Sequence, residues 1–237
     1  MVFAPLALNV SSVDPSQSLS SPSQASAVIF VVSFAALQIV AFGPLQMNEP
    51  VVRQIAGRLA QQGSAMPQLT FAPCWGEEPA LHEAWAQAAR STLAAIDPIE
   101  LARSVLVPSA HSLPMRVVEA GDPYPHLVHQ TAEAVVSALG QDGLPHMLAF
   151  QSQGMTADPW LGPDLPTVFA RAKSTGARSV VLLPIGFLSD HVETLYDLDI
   201  EARTLAGEAG LGFHRVPCLN EADGLISAME NVVRRVM

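Results

Sequence analysis

From residue 37 onward, short apolar runs bounded by turn residues alternate with longer stretches in which apolar positions recur every three to four residues. The short runs predict strands over 37–42, 68–73, 104–107, 147–150, 180–183 and 212–216. The longer stretches predict helices over 49–62, 77–95, 123–139, 165–175, 188–202 and 221–235. Alternation of this kind predicts an α/β fold whose parallel sheet is covered by helices.

The helix at 188–202 stands out. On a wheel of about 3.6 residues per turn, Leu188, Val192, Leu195, Leu198 and Ala202 form one apolar stripe, and Asp190, Glu193, Asp197 and Glu201 form an acidic stripe opposite it. The solvated face of any amphipathic helix accounts for that acidic stripe as readily as a ligand site does. Its position favours a site, because the preceding run at 180–183 reads as a strand covered on both faces. Ligands of open α/β sheets lie beyond the carboxyl ends of the strands. Asp199 falls on the apolar side of the wheel, so either the helix is distorted there or Asp199 has a buried partner. A wide turn would also bring Glu193 and Asp197 into closer register.

Composition narrows the function classes. The chain has 237 residues, 49% of them hydrophobic, enough for a sizeable core in one large or two small domains. With 12 Lys plus Arg and a formal charge of −10, it lacks the basic footprint of a nucleic-acid binder. An acidic chain suits a cationic ligand such as a metal ion. Cys74 and Cys218 lie far apart and outside any C-x-x-C pair, which predicts two buried thiols rather than a disulfide framework or a thiolate metal site.

Residues 1–27, rich in Ser, Pro and Gln and without Lys or Arg, are expected to form a disordered leader. The apolar run at 25–43 approaches the length of a membrane helix. It contains Ser33 and Gln38 and has neither flanking positive charge nor a basic n-region, which favours a buried strand at its end over a membrane span.

Four segments are more specific: SAHSLP at 109–114, GDPYP at 121–125, FQSQGMTADPWLGP at 150–163 and PIGFLSDHVETLYDLDIE at 184–201. In this order, over roughly residues 66–237, they resemble the ferrochelatases. Within that family the chain is most similar to the soluble Gram-positive-type enzymes, which insert ferrous iron into coproporphyrin. The resemblance implies two Rossmann-like parallel-sheet domains facing a cleft, the first of them incomplete. On this division the leader at 1–27 precedes a partial N-terminal α/β domain at 28–100 and a chelatase domain at 101–220. A closing helix at 221–237 would pack back on the first domain. The resemblance also implies Fe²⁺ as a substrate, coproporphyrin III or protoporphyrin IX as the porphyrin, a cytoplasmic location and a monomer. Some family members carry an iron–sulfur cluster on several cysteines near the C-terminus. Cys218 alone could not hold one, so none is expected.

Inserting a divalent metal into a porphyrin needs a ligand to receive the ion, a base to accept two pyrrole protons and a pocket that bends the macrocycle. An imidazole and a carboxylate serve the first two needs. By the resemblance, His111 in SAHSLP matches the histidine placed over the porphyrin centre, and Glu193 matches the essential glutamate across the cleft. Which of the two takes the protons and which escorts the metal stays open. Asp197 and Glu201 would extend a carboxylate row from the pocket toward solvent, a path for cations or protons in the family, and both join His111 and Glu193 as metal-contacting candidates. Ser152 and Trp160 are the expected porphyrin-contacting residues, in a loop shaped by Gly154, Gly162 and Pro163. Asp122 is expected to cap the helix that follows it. His126, His129, His146, His191 and His214 show no metal-ligand spacing, and His191 is expected to point away from Glu193 on the helix.

The chain also departs from the family. The opening strand, its Gly/Pro loop and the helical segments that form one lip of the cleft have no counterpart, and Leu45 stands where the family has a histidine-containing motif. A pocket without one wall supplies less binding energy for distorting a macrocycle. This keeps a second reading in view, a truncated, non-catalytic tetrapyrrole- or metal-binding protein. A third, a cobalt or nickel chelatase, fits WLGP and LYDLDIE less well.

Overall fold

A computed structural model describes residues 74–154 and 158–236, together with Gly57, Gln61 and Ala72. The expected leader, the apolar run at 25–43 and the elements at 37–42, 49–62 and 68–73 lie outside the described residues, apart from Gly57 and Gln61, which are helical.

Four strands, β1 (Ser104–His111), β2 (Ala149–Gln151), β3 (Ser179–Leu183) and β4 (Gly212–Arg215), form one sheet in the order β2-β1-β3-β4. Every pairing is parallel, with Leu106 opposite Val181 and His111 opposite Gln151. Pro108 sits in the central strand β1 although it has no N–H to donate. It stands opposite Leu183 of β3, and on its β2 side it falls in a gap of the ladder, since pairing with β2 begins at Ser109 and an isolated bridge joins Leu106 to His146 before it.

The helices are α1 (Pro79–Ala94), α2 (Pro98–Leu101), α3 (Met115–Glu119), α4 (Tyr124–Leu139), α5 (Leu165–Ser174), α6 (Val192–Tyr196), α7 (Arg203–Glu208) and α8 (Asp223–Val236). A π-helical segment, Asp197–Ala202, joins α6 to α7. The short α2 and α3 escape a periodicity reading because each is too brief to show a repeat. Caps fit the sequence. Asp97 accepts from the Ile99 amide, Asp164 from the Thr167 amide, and Gly140 ends α4 at φ 67.

Alternation along the strands sends Leu106, Ala110, Val181 and Leu183 to a core shared with α1, α4 and α8. Val105, Val107, Val180 and Leu182 face the other way, onto α5, the π-helical segment and α7. Asp97-Pro98 begins α2, and Leu81, Trp85 and Leu93 of α1 pack in the same cluster as Leu106 and Ala110 of β1. α8 closes over α1, where a Cβ at Gly224 would stand 2.8 Å from that of Ala84. Glu78, 5% exposed, is held there by Arg235 and by Asn231 Nδ2 at 3.1 Å. Among the described residues no helix is long and apolar enough to cross a membrane.

The expected apolar stripe at 188–202 needs correction. Leu198 and Ala202 are fully buried, but Val192 is 84% and Leu195 47% exposed. Two causes act together. Residues 187–191 are not helical, so Leu188 reaches the core from a loop. The π-helical segment also changes the phase of the wheel between α6 and α7.

Candidate active site

The chain leaves β1 toward β2 on one side and leaves β3 toward β4 on the other, so the crevice between the carboxyl ends of β1 and β3 is a topological switch point. His111 is the last residue of β1. Its Nδ1 lies 2.5 Å from the Ser112 carbonyl, which can only accept, so Nδ1 carries the proton and the lone pair of the neutral ring resides on Nε2. The Tyr124 hydroxyl donates to the His111 carbonyl at 2.7 Å. Burial pushes that phenol well above its ordinary range, so it stays a donor at any physiological pH. Asp122 accepts from the Tyr124 amide at 2.9 Å, the expected cap. The role of Tyr124 in fixing the end of β1 is absent from the sequence reading, because nothing in GDPYP shows that the hydroxyl turns back 13 residues.

The loop after β3 closes on the same edge. Gly186 donates its amide to the Ser109 carbonyl at 3.1 Å, and a Cβ there would stand 2.7 Å from the Ala110 Cα. Only glycine permits that approach. It seats the buried Phe187 ring between two imidazoles, with centroids 6.3 Å from His111 and 5.5 Å from His191. His191 precedes α6 and packs its ring on that of Phe187. His191 Nε2 is buried without a hydrogen-bond partner. Thr194 fastens the helix start, accepting from the His191 amide and bonding its carbonyl, each at 2.8 Å. Glu193 therefore falls in the first turn of α6, two residues beyond His191.

Strand β2 delivers Ser152 in a left-handed conformation, φ 58, and its Oγ donates to Asp197 Oδ2 in the first turn of the π-helical segment. The expected distortion at Asp199 and its expected partner are both present. The segment is π-helical, and Arg215 holds Asp199 through Nε at 2.6 Å and Nη2 at 3.0 Å. Asp197 is half-buried and Glu201 exposed. Asp190 leaves the expected row altogether, because Arg215 Nη1 and Asn220 bind it. Burial alone would raise its carboxyl, but the Asn220 hydrogen bond and the Arg215 charge hold it below the usual carboxylate range.

The Trp160 loop is sewn to the residues after His111. Leu161 donates to the Leu113 carbonyl and Met115 to that of Pro159, each at 2.8 Å, and Ser112 Oγ donates to the Leu161 carbonyl at 2.7 Å. The Trp160 ring lies over Gly154, whose absent Cβ would stand 2.7 Å from it. Gln151, 4% exposed, has neither end of its amide bonded.

Among the described residues no group of three or more His, Cys, Asp or Glu gathers as a ready metal cage. His146 and His214 pair instead with Glu133 at 3.0 Å and Glu100 at 2.7 Å. Cys218 is buried as expected, whereas Cys74 is only half-buried.

The ferrochelatase family model matches residues 47–237. The coproporphyrin III ferrochelatase of Anoxybacillus flavithermus is 35% identical over 185 residues, 77% of this chain and 58% of that protein. The corresponding protein of Geobacillus kaustophilus is 38% identical over 161 residues, 67% of this chain and 50% of the relative. Coproporphyrin III ferrochelatase 1 of Bacillus cereus is 32% identical over 185 residues, 77% of this chain and 59% of the relative. The chain thus spans little more than half the length of these curated relatives. A multi-domain protein of Deinococcus radiodurans, described as structurally similar to chelatases, superposes with a TM-score of 0.46 at 16% identity, covering 70% of this chain and 31% of that one. The family match spans the strand ends, the Trp160 loop and the acidic helix described above, and the chain belongs to the ferrochelatase family.

Proposed function

We propose that this chain inserts Fe²⁺ into a coproporphyrin-type tetrapyrrole, with His111 and Glu193 as the central pair. The observation that carries the reading is the His111 tautomer. With Nδ1–H engaged by the Ser112 carbonyl, Nε2 is the ring nitrogen whose chemistry suits a ligand or base, at the carboxyl end of β1. Glu193 lies in the first turn of α6, two residues beyond His191, whose ring packs on Phe187. In the reaction the two pyrrole N–H groups lose protons as the metal–nitrogen bonds form. An imidazole and a carboxylate near pH 7 accept them without a further cofactor.

Ser152 and Trp160 border the ring-binding side. The exposed apolar residues Val192, Leu195, Tyr196 and Ile200 beside Glu193 suit the edge of a macrocycle. Asp197 and Glu201 carry hydrated cations inward or protons outward, graded from half-buried to exposed. The reading includes a cytoplasmic monomer, protoporphyrin IX as the other candidate porphyrin and no iron–sulfur cluster.

The test follows the visible spectrum of coproporphyrin III mixed anaerobically with Fe²⁺ and the purified chain, beside His111→Ala. Turnover in the wild type and its loss in a variant with an unchanged circular dichroism spectrum are expected. Full turnover in His111→Ala would remove the central role of that residue. Porphyrin binding without metalation in the wild type would favour the binding-only reading.

A further inference from the structure

Five carboxylates, Asp190, Glu193, Asp197, Asp199 and Glu201, fall within twelve residues, and Arg215 at the end of β4 ion-pairs with two of them. Asp190 lies three residues before Glu193 and Asp199 six after it. Arg215 bonds Asp190 Oδ1 through Nη1 at 3.0 Å while its Nε and Nη2 take both oxygens of Asp199. The arginine side chain is 13% exposed, and the two carboxylates 26% and 31%. A planar guanidinium fork can hold one carboxylate bidentately while a further N–H reaches a second segment.

A second contact fixes the same entrance. Asn220, at φ 51, accepts from the Asp190 amide and donates to its carboxylate, each at 2.8 Å, and the Asn220 amide donates to the Leu188 carbonyl at 2.8 Å. The stretch before α6 is thereby zipped to the stretch after β4. Asp199 lies in the π-helical segment whose first residue, Asp197, accepts from Ser152. One partly buried cation thus ties residues on either side of Glu193 in the chain.

We infer that Arg215 is a positioning residue for Glu193, clamping Asp190 and Asp199 so that α6 and the π-helical segment hold one register toward the crevice. The inference extends the proposed function and rests on it for its kinetic consequence, while its structural consequence stands apart. Without the guanidinium, two partly buried carboxylates repel and seek water, and the wide turn loses the contact that keeps Asp199 inward. Lysine restores a charge but reaches only one of the two segments.

The experiment compares the full chain with Arg215→Ala, Arg215→Lys and, as a control, Arg234→Ala, whose ion pair is exposed on α8. Amide hydrogen exchange over residues 190–202 is read against α4 in the same molecule. Arg215→Ala is expected to speed exchange there by about tenfold or more with α4 unchanged. It is expected to lower kcat for metal insertion by about 10- to 100-fold while leaving the dissociation constant for coproporphyrin III within about twofold. Arg215→Lys should fall between Arg215→Ala and the wild type, and Arg234→Ala should match the wild type. Unchanged exchange at 190–202, a rise spread evenly over α1, α4 and α6, or an unchanged kcat in an active chain would overturn the inference. A wild-type chain that does not metalate would dismiss the proposed function, and the exchange comparison would then decide the clamp by itself.

Discussion

Ser152 Oγ donates a hydrogen bond to Asp197 Oδ2, tying the turn after β2 to the first turn of the π-helical segment 45 residues later. Ser152 pays for this with a left-handed backbone, φ 58, a conformation that costs a non-glycine residue about 1–3 kcal/mol. Such strain persists where the surroundings hold it, here between the Trp160 loop and the acidic helix.

Removing either partner should therefore show coupling. Ser152→Ala leaves the half-buried Asp197 carboxylate short of a donor, with an expected destabilisation of about 1.5–3 kcal/mol by urea titration. Combined with Asp197→Ala, the effects should fall short of additive by about 0.5–3 kcal/mol. Additive losses would mean that the contact is not made in solution.

Gly154 and Gly186 should fail in different ways. Gly154→Ala pushes on the Trp160 ring, so it should alter tryptophan fluorescence and weaken porphyrin binding while the melting temperature changes little. Gly186→Ala pushes on the Ala110 backbone within the sheet, and overpacking there should cost about 1–3 kcal/mol in a thermal melt. Equal stability losses in the two variants would contradict this separation.

Tyr124→Phe deletes only the hydroxyl that holds the His111 carbonyl. A loss of about 1 kcal/mol in stability is expected, with kcat falling more than KM because the change acts on the placement of His111. A rise in KM alone would place Tyr124 in binding instead.

Much of this architecture follows from hydrophobic period. The runs at 104–107 and 180–183 are apolar on both faces because helices cover both, which makes the strands readable without knowledge of their order. Asp199 was equally telling, since a carboxylate on the apolar side of a wheel requires either a distortion or a partner, and both are present. What period could not give is contact across the chain. Val192 and Leu195 match the apolar stripe in spacing yet face outward, because a wheel assumes one pitch and the π-helical segment changes it. The requirement for glycine at 186 arises from the approach of Ala110, and the orientation of His191 arises from Phe187; neither leaves a local signature.

Stability should depend on acid through Asp190. Its carboxyl is held below the usual range by Asn220 and Arg215 against the opposing effect of burial. A depressed folded-state pKa means that the stabilisation is complete above the ordinary carboxylate range near pH 4 and is lost as pH falls through the lower folded value. Melting temperatures measured from pH 6 downward should therefore fall in acid, and Asp190→Asn should flatten part of that fall. An identical slope in the variant would show that other carboxylates govern it.

The pairing of His111 with Glu193 in porphyrin metalation is tested by the initial rate of Fe²⁺ insertion into coproporphyrin III by the wild-type chain beside Glu193→Ala, under anaerobic conditions. Insertion by the wild type, at least about 100-fold slower insertion by the variant, and porphyrin binding by both are expected. Insertion by Glu193→Ala at the wild-type rate, or none by either protein, would contradict the pairing.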